Sequence, residues 1–313
     1  MYPIIFLPIY KEMIWGGDRL KMLYNRNLPS GKIGESWDIS CRETDMGIVE
    51  NGEFKGMSFI ELIKKDPFKV LGINNFKRFP LLVKIIDAND KLSVQVHPSG
   101  DDIGKSESWY ILHEPYCGYL YIGLKEYVTK DIFQKAISQG TAEECLNKLY
   151  VKAGDFIDIP AGLVHALTSG TIVAEIQQNS DTTYRLYDYN RIGLDGKQRE
   201  LHINAGLAVC DFENKLQKSV IKGKIQKSGE NITTHLISND FYTINKYEIK
   251  QPLYLCTNNT FEIIICVFGE VLINTTMLTA GKMALIPAGL QDYMVKPKEH
   301  AIILKAKEPL INI

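Results

Sequence analysis

The sequence has no excess of charge of one sign, no nucleotide-binding glycine motif and no closely spaced pair of cysteines. Its 36 Lys and Arg residues are balanced by 37 Asp and Glu residues, which gives a net charge of −1 at pH 7. A nucleic-acid-binding protein normally carries a basic excess, and neither a basic tail nor a helix-turn-helix segment is apparent. Neither GxxxxGK[ST] nor GxGxxG occurs, which excludes the usual nucleotide cradles. We therefore expect no nucleic-acid partner.

Cysteine usage and the first residues bear on the compartment. The six cysteines are scattered and include no CxxC, so in a chain of 313 residues we expect buried, reduced thiols of a cytosolic protein. The opening stretch MYPIIFLPIYKEMIWGG is apolar, but it contains Pro3 and Pro8 and lacks a basic region. It is a poor signal peptide and too short to span a membrane. We expect a cytoplasmic protein without a membrane partner.

Strand-like segments dominate the sequence. Short β-branched runs separated by Gly, Pro and Asn turns include FPLLVKII, KLSVQVH, DFIDIP, TIVAEIQQ, FEIIICVFGEVLIN, MALIPA and AIILKAK. Their spacing is typical of sandwiches and barrels. Helices are predicted for MSFIELIKKD and INAGLAVCDF, and two short helices for TKDIFQKAISQGTAEECLNKLY, broken at Gly140 and restarted with Thr141 as a cap.

One motif occurs twice. AGDFIDIPAGLVHAL, residues 153–167, and AGKMALIPAGLQDYM, residues 280–294, share Gly, Pro and Gly at the same spacing, with His165 in the first copy where the second has Asp292. A repeat at an offset of 127 residues indicates a duplicated β-barrel unit. The polar passage DFENKLQKSVIKGKIQKSGENITTHLISND is interpreted as the connection. We predict one domain at 1–215, with small helical insertions, and a second at 216–313.

KLSVQVHP is the first segment with candidate ligands. Strand alternation places Ser93, Gln95 and His97 on one face. A wholly polar face usually turns to water, which is the competing interpretation. Glu107 follows in GKSESWY, with Lys105 two residues before it; taken alone, these two are a solvated pair.

His165, just after the P-A-G turn, changes the interpretation of the other polar residues. A single histidine is usually a satisfied polar residue, but His97, His165, Glu107 and Gln95 together supply two imidazoles, one carboxylate and one amide oxygen. Two histidines and a carboxylate, with room for water or substrate, compose a catalytic divalent-metal site. FEIIICVFGEVLIN has no histidine in the place of QVH. The second unit is therefore predicted to lack metal ligands.

These motifs resemble known families. The G-x5-P-x-G-x2-H of residues 154–165 resembles the second motif of the cupins, small double-stranded β-barrels, and Gln95-Val96-His97 followed by Glu107 resembles the first, with a longer gap. RFPLLVKIIDANDKLSVQVHP, residues 78–98, resembles the characteristic stretch of type I mannose-6-phosphate isomerases. Three further segments resemble the short bacterial form of these enzymes: WGG at 15–17, GKIGESWDIS at 31–40 and NSDTTYRLYDYNR at 179–191. The resemblance covers most of residues 1–210 and, more weakly, the C-terminal unit.

The resemblance implies a fold and an activity. The fold would be mainly β, with two cupin-type double-stranded β-helix (jelly-roll) barrels, a few short helices and a second barrel without metal ligands. The activity would be isomerisation of mannose 6-phosphate and fructose 6-phosphate through an enediol, with one Zn²⁺ per chain and a small-molecule sugar phosphate as partner. We expect a monomer or weak homodimer. By position, the family's metal ligands fall on Gln95, His97, Glu107 and His165, of which Gln95 offers the weakest ligand atom.

Three further residues are implied to take part in catalysis. Glu175, in TIVAEIQQ, is the candidate acid/base, against the alternative of a buried carboxylate bonded to a neighbouring hydroxyl or amide. Arg185, in YRLYDYNR, matches a catalytic arginine of the family, and its planar cation suits an enediolate or a phosphate. Asp181 either supports the site or forms a turn.

The phosphate group needs its own partners. Ser93 lies on the metal-facing side of its strand, and Lys84 interrupts the apolar strand LLVKIID, where an unpaired lysine is costly. Lys105 is a third candidate and alternatively assists proton transfer. Two other functions compete with the isomerase: a non-enzymatic sugar-binding cupin paralogue, and a metal-dependent cupin oxygenase or epimerase with the same ligand set.

Overall fold

The structure, a computed structural model, describes residues 1–72, 78–213, 215–216 and 219–309. Strands dominate these ranges, and the helices are few and short. The prediction that the fold is mainly β is confirmed. None of the helices within these ranges is both long and apolar enough to cross a membrane.

The strands are numbered along the described chain. They are β1 (Ile9–Gly17), β2 (Ile33–Ile39), β3 (Cys41–Arg42), β4 (Asp45–Met46), β5 (Leu81–Ala88), β6 (Val94–Val96), β7 (Glu107–His113), β8 (Tyr119–Leu124), β9 (Leu146–Tyr150), β10 (Phe156–Ile159), β11 (His165–Ala166), β12 (Thr171–Gln178), β13 (Tyr184–Tyr187), β14 (Lys224–Ser228), β15 (Asn231–Ser238), β16 (Thr243–Ile249), β17 (Leu253–Cys256), β18 (Glu262–Phe268), β19 (Glu270–Ile273), β20 (Thr276–Thr279), β21 (Met283–Ile286), β22 (Asp292–Pro297) and β23 (Ala301–Lys307).

The helices in the same ranges are α1 (Arg19–Tyr24), α2 (Phe59–Lys65), α3 (Pro67–Val70), α4 (Lys130–Gln139) and α5 (Ile203–Val209), with 3₁₀ turns at Ala142–Cys145 and Ala288–Leu290. The helices predicted in MSFIELIKKD and INAGLAVCDF are confirmed as α2 and α5. A capping box starts α2: Ser58 accepts from the Glu61 N–H, and the Glu61 side chain accepts from the Ser58 N–H.

The pair of helices predicted around Gly140 is only half correct. The first is α4, and Gly140 ends it in the left-handed conformation, with φ of 76°. The second is wrong, because Ala142–Cys145 is a single 3₁₀ turn and Thr141 makes no capping side-chain bond. The following residues form β9, which pairs with β8. Strand pairing here outweighs a locally helical pattern.

The chain divides into two compact units. The first unit comprises Tyr10–Ser36 and Lys84–Ile221; the second comprises Met1–Ile9, Trp37–Val83 and Lys222–Ile313. The first unit contains a sheet of order β13-β6-β11-β8-β9. It also contains part of a sheet of order β1-β2-β5-β12-β7-β10, in which residues 33–36 of β2 and 84–88 of β5 belong to this unit. Apolar side chains from β7, β10 and β12 of one sheet and β8 of the other form a common core.

The second unit also contains two larger sheets among its described residues, of order β14-β15-β16-β23-β18-β21 and β17-β22-β19-β20. Its own core includes Ile264, Val271 and Ile303. The polar passage interpreted as a connection contains β14 and β15, which pair as a hairpin. Within that passage, Asn214, Gln217 and Lys218 lie outside the described residues.

The repeated motif has the same local structure in both copies. A strand, β10 or β21, leads through the P-A-G segment to a second strand, β11 or β22, that begins at His165 or Asp292. The first glycine of each copy, Gly154 or Gly281, has a positive φ of 91° or 79°, which side-chain-bearing residues rarely adopt.

Pairing within each unit corrects one predicted correspondence. Gln95 of β6 stands opposite His165, and Cys256 of β17 stands opposite Asp292. LYLC therefore stands in the place of LSVQ, residues 92–95, and the expectation that FEIIICVFGEVLIN stands there is wrong. The sequence alone does not show which segment pairs with the strand of Asp292, because LYLC and FEIIIC are both apolar runs of similar length.

The cysteines differ from the expectation of buried thiols. All six lie in the described ranges and none forms a disulfide. Cys145 and Cys266 are buried, as expected, but Cys117 and Cys256 are exposed, and the remaining two are intermediate. For the exposed pair the prediction is wrong, because both lie at the edges of strands or turns, outside the cores.

Candidate active site

Three predicted ligands converge in the first unit. His97 directly follows β6, Glu107 begins β7 and His165 begins β11; β6 pairs with β11, so the two histidines come from adjacent strands. Their exposed fractions are 1%, 0% and 0%. Ser93, on the same strand segment, is also buried, so the competing interpretation of a solvent-facing polar face is wrong.

Each imidazole presents its Nε2 to a different oxygen of Glu107. His97 Nε2 lies 3.4 Å from Oε2, and His165 Nε2 lies 3.5 Å from Oε1. The Nδ1 atoms face backbone carbonyls, that of Thr182 at 3.0 Å and that of Leu163 at 2.8 Å. A carbonyl only accepts, so each Nδ1 carries the proton and each Nε2 keeps its lone pair. Two imidazole lone pairs therefore point to one carboxylate.

The protonation states suit a cation. Burial lowers the pKa of His97 to about 4 and also lowers the pKa of His165, so both rings are neutral at pH 7. Burial alone would raise the pKa of Glu107, but Lys105 and the imidazoles hold it well below its ordinary value. Lys105 Nζ lies 2.7 Å from Glu107 Oε2 and 3.3 Å from His97 Nε2. Neither Glu107 oxygen accepts a hydrogen bond of normal geometry within the described residues.

His97, Glu107 and His165 therefore fit a divalent metal. Their ligand atoms all lie within 4.8 Å of one another, and two neutral imidazoles with an ionised carboxylate form a common donor set for such an ion. Gln95 reaches the same place: its Nε2 lies 3.2 Å from His165 Nε2. A half-turn of the amide presents its oxygen instead of its nitrogen.

A cavity of about 280 Å³ adjoins the ligand set, since Gln95 and Lys105 line it. It collects side chains from both sheets of the first unit. The other predicted site residues that line it are Lys84, Ser93, Glu175, Asp181 and Arg185; residues not predicted from the sequence include Trp15, Glu35, Trp109, Thr183 and Arg199.

A chain of alternating charges runs along the cavity wall to Glu107. Lys84 Nζ lies 3.1 Å from Glu35 Oε2 and 3.0 Å from Glu175 Oε1, and Lys105 Nζ lies 3.8 Å from the same Glu175 oxygen. Burial alone would lower the pKa of Lys84, but the two carboxylates raise it above its ordinary value. Lys84 therefore remains charged although it is buried.

Glu175 is held at both oxygens. While Oε1 faces Lys84, Oε2 accepts a 2.8 Å hydrogen bond from Trp109 Nε1. Glu175 is 1% exposed and stands opposite Trp109 in the β12–β7 register. The alternative considered for Glu175 was a buried carboxylate bonded to a neighbouring hydroxyl or amide. Its observed partners are instead the Trp109 indole and the Lys84 ammonium group.

Arg185 and Asp181 also line the cavity and are less buried than Lys84 and Glu175. Arg185, on β13, stands opposite Gln95, and its Nη1 donates to the Glu200 carbonyl over 2.7 Å. Its Nε is buried and has no hydrogen-bond partner in the described part of the chain. Asp181 is exposed.

Comparison with known proteins agrees with this site. Residues 5–116, which include His97 and Glu107, match the family described as "Phosphomannose isomerase type I, catalytic domain". The chain is 33% identical over 307 residues to the probable mannose-6-phosphate isomerase GmuF of Bacillus subtilis strain 168, covering 94% of this chain and 96% of the relative. The chain belongs to the type I mannose-6-phosphate isomerase family. The family resemblance predicted from the sequence is thereby confirmed.

Other members of the mannose-6-phosphate isomerase family match over similar lengths. ManA of the same B. subtilis strain is 34% identical over 276 residues, covering 86% of each chain. The crystal structure of mannose 6-phosphate isomerase from B. subtilis superposes with a TM-score of 0.89 at 29% identity, covering 98% of this chain and 99% of the other.

Three of the cavity residues not predicted from the sequence bear on its charges and hydrogen bonds. Glu35 lies within the fully buried strand β2, and a glutamate in such a run is a detectable signal that was not followed. Trp109 in SWYIL looks like an ordinary core residue, and it is one, except for its bond to Glu175. Arg199 lies after β13 in an exposed stretch with no distinguishing pattern.

Proposed function

We propose that the protein is a metal-dependent aldose–ketose isomerase that interconverts mannose 6-phosphate and fructose 6-phosphate. The observation that carries this proposal is the convergence of two imidazole Nε2 atoms on Glu107, beside a cavity lined by Glu175 and Lys105. The names of the relatives support the same reaction. No observation favours a cupin oxygenase, an epimerase or a non-enzymatic sugar-binding paralogue.

The metal in this proposal is one Zn²⁺ per chain. His97 and His165, each through Nε2, and Glu107 would hold it, with the Gln95 amide oxygen as a fourth ligand. Zinc is commonly bound by imidazole and carboxylate. When bound, the metal acts as a Lewis acid toward the substrate oxygens.

Glu175 is the proposed acid/base. The reaction removes the proton from C2 of the open-chain aldose and delivers a proton to C1, through an enediol. One carboxylate lying over both carbons performs both transfers. Trp109 and Lys84 each bind a different oxygen of Glu175, so its orientation is fixed before the substrate arrives.

Lys105 and Arg185 take complementary roles. Isomerisation also moves a proton between the oxygens on C1 and C2, and we assign that transfer to Lys105. Arg185 stabilises the negative charge of the enediolate with its guanidinium. Asp181, which is exposed and lines the cavity, orients the sugar hydroxyls. Ser93 and Lys84 are proposed to bind the phosphate.

We also propose a wider organisation for the chain. Residues 1–215 would form the catalytic cupin domain, and residues 216–313 a degenerate cupin barrel that binds no metal. A small-molecule sugar phosphate would be the partner. The protein would act in the cytoplasm as a monomer or weak homodimer.

A coupled assay tests the function. Conversion of mannose 6-phosphate to fructose 6-phosphate is measured on purified protein, after removal of metal with a chelator, and after addition of Zn²⁺. We expect activity that disappears with the chelator and returns with the metal. Absence of turnover by folded, metal-loaded protein contradicts the proposal.

A further inference from the structure

The cationic side chains of the cavity differ in how far their charge is already compensated. Lys84 contacts two carboxylates, those of Glu35 and Glu175, and Lys105 also contacts two, those of Glu107 and Glu175. An ammonium group between two carboxylates has little charge left for a dianionic phosphate monoester. Ser93 and Lys84, the groups proposed above for the phosphate, can donate hydrogen bonds to it, but most of the positive charge must come from elsewhere in the cavity.

The cavity arginines, Arg185 and Arg199, and the neighbouring Arg191 have few buried carboxylates near them. Arg185, Arg191 and Arg199 are grouped around one buried carboxylate, that of Asp188, which is 4% exposed. Arg191 Nη2 lies 2.5 Å from Asp188 Oδ1, and Arg199 Nη1 lies 3.3 Å from it. Within the described residues, no carboxylate oxygen lies within 4.0 Å of the Arg185 guanidinium.

Burial destabilises the charge of both cavity arginines. The pKa of Arg199 is lowered by burial and next by the neighbouring Arg185. The pKa of Arg185 is also lowered, by burial first. Both directions mean that each cation is destabilised where it stands, which is what a pocket for an anion requires.

Position along the sheet assigns the two arginines different parts of the substrate. In the order β13-β6-β11, Arg185 stands opposite Gln95, which stands opposite His165. The His202 N–H donates to the Arg185 carbonyl over 2.7 Å, so the segment that carries Arg199 returns along β13. Arg185 is thus the arginine near the metal ligands, and Arg199 belongs to the segment beyond it.

We propose that Arg199 binds the substrate phosphate and is a specificity-determining residue for phosphorylated sugars. This inference rests on the proposed isomerase function. In a hexose 6-phosphate the phosphate is at the opposite end from the reacting C1 and C2. Arg199 then receives the phosphate at one end of the cavity while the other end of the sugar reaches Glu175 and the metal ligands. A guanidinium suits this task because it can donate two parallel hydrogen bonds to phosphate oxygens.

The test compares Arg199→Gln with Arg191→Gln. Arg191 contacts the same Asp188 more closely but does not line the cavity, so it controls for loss of an arginine contact with Asp188 outside the cavity. For Arg199→Gln we expect KM for mannose 6-phosphate to rise by about 10- to 100-fold, since the lost hydrogen bonds are to a charged group, with kcat within about threefold. Competitive inhibition by inorganic phosphate should weaken by a similar factor. Arg191→Gln should change both constants less than threefold.

Two results overturn the assignment: unchanged KM and phosphate inhibition in Arg199→Gln, or equal losses in both variants. Circular dichroism and thermal melts verify that both variants fold. If Arg199→Gln is unstable, Arg199→Lys, which keeps the charge, replaces it in the test and is expected to have an intermediate KM. Titration calorimetry with inorganic phosphate separates this inference from the isomerase function. If the wild type lacks isomerase activity but binds phosphate and Arg199→Gln does not, only the proposed function fails.

Discussion

Glu262 occupies in the second unit the strand position that Glu107 occupies in the first. Glu107 stands opposite Ile159 on β10, and Glu262 stands opposite Ile286 on β21. The two isoleucines hold the same place in the repeated motif, 127 residues apart. Both carboxylates are 0% exposed. The second unit therefore retains a buried carboxylate at the position of a metal ligand.

The neighbours of the two carboxylates differ. Glu107 faces two imidazoles, whereas Glu262 binds Lys305 Nζ at 2.8 Å and accepts a hydrogen bond from the Tyr293 hydroxyl. Lys305 stands opposite Ile264, two residues after Glu262, and Glu175 stands opposite Trp109, two residues after Glu107. Lys305 therefore occupies in the second unit the strand position that Glu175 occupies in the first. A lysine ammonium thus provides the positive charge beside Glu262, and a metal is not needed for that purpose.

We predict that Lys305→Met destabilises the protein by about 3–5 kcal/mol, because it leaves the Glu262 carboxylate buried without a cation. The double variant Lys305→Met/Glu262→Gln should recover most of that loss, since it removes both charges. Urea unfolding measures the free energy of unfolding of each. A single variant as stable as the wild type shows that Glu262 finds another partner.

The same pair predicts a pH dependence. Burial alone would lower the pKa of Lys305, but Glu262 outweighs it and raises the pKa above the ordinary 10.5. A lysine with a raised pKa in the folded state contributes stability that is fully present below pH 10.5 and is lost as the pH rises through its folded pKa. The stability difference between wild type and Lys305→Met should therefore be constant from neutral pH to about 10 and shrink above it. Urea unfolding across this range measures it; a difference that grows with pH contradicts the sign.

Metal binding is tested by a matched pair at the repeated position. His165→Ala removes an imidazole ligand, so we expect metal content well below one ion per chain and activity reduced at least about 100-fold. Asp292→Ala changes the equivalent, exposed position of the second copy and should change neither quantity. Elemental analysis by mass spectrometry and the coupled assay provide the two measurements. Equal metal loss in both variants would place the ion elsewhere.

Glu175→Gln tests the acid/base assignment. The amide cannot take up the C2 proton, so kcat should fall by about 10²- to 10⁴-fold. Metal content should stay at the wild-type value, because Glu175 is not among the proposed ligands. Trp109→Phe removes the bond to Oε2 but keeps an aromatic ring in the core, and it should lower kcat by about 3- to 10-fold, the equivalent of one hydrogen bond. Full activity of Glu175→Gln assigns the proton transfer to another group.

Thiol labelling tests the burial of the cysteines. Cys117 and Cys256 are exposed and should react with iodoacetamide in the native protein at pH 8. Cys266 is buried, and burial raises its pKa to about 12, so its thiolate fraction at pH 8 is negligible. Peptide mass spectrometry locates the modified residues. Native labelling of Cys266 at the rate of Cys117 contradicts the described core.

Part of the site was predictable because its signals are local. Strand alternation places Gln95 and His97 together, and the glycine and proline pattern of the hairpin locates His165 at the start of a strand. Glu107 was identified from its carboxylate side chain and its position ten residues after His97. The structure brings the two histidines and Glu107 to within 4.8 Å. The role of Glu175 was implied by the family resemblance and not by a local pattern.

Other features depended on contacts that no local pattern encodes. The segment after Thr141 has a helical pattern, but most of it forms β9, because it pairs with β8. The correspondence of FEIIIC with the strand of Glu107 follows only from its pairing with β21.

By itself the sequence determined that the protein is mainly β, that it contains a duplicated hairpin, and which side chains are able to hold a metal, since turn chemistry and side-chain type are local properties. Only the tertiary structure decided which charges meet. Strand register sets whether Lys84 lies between two carboxylates and whether Trp109 reaches Glu175, and the path of the chain after β13 brings Arg199 to the cavity. These contacts join residues far apart in the chain, where small shifts in pairing change every partner.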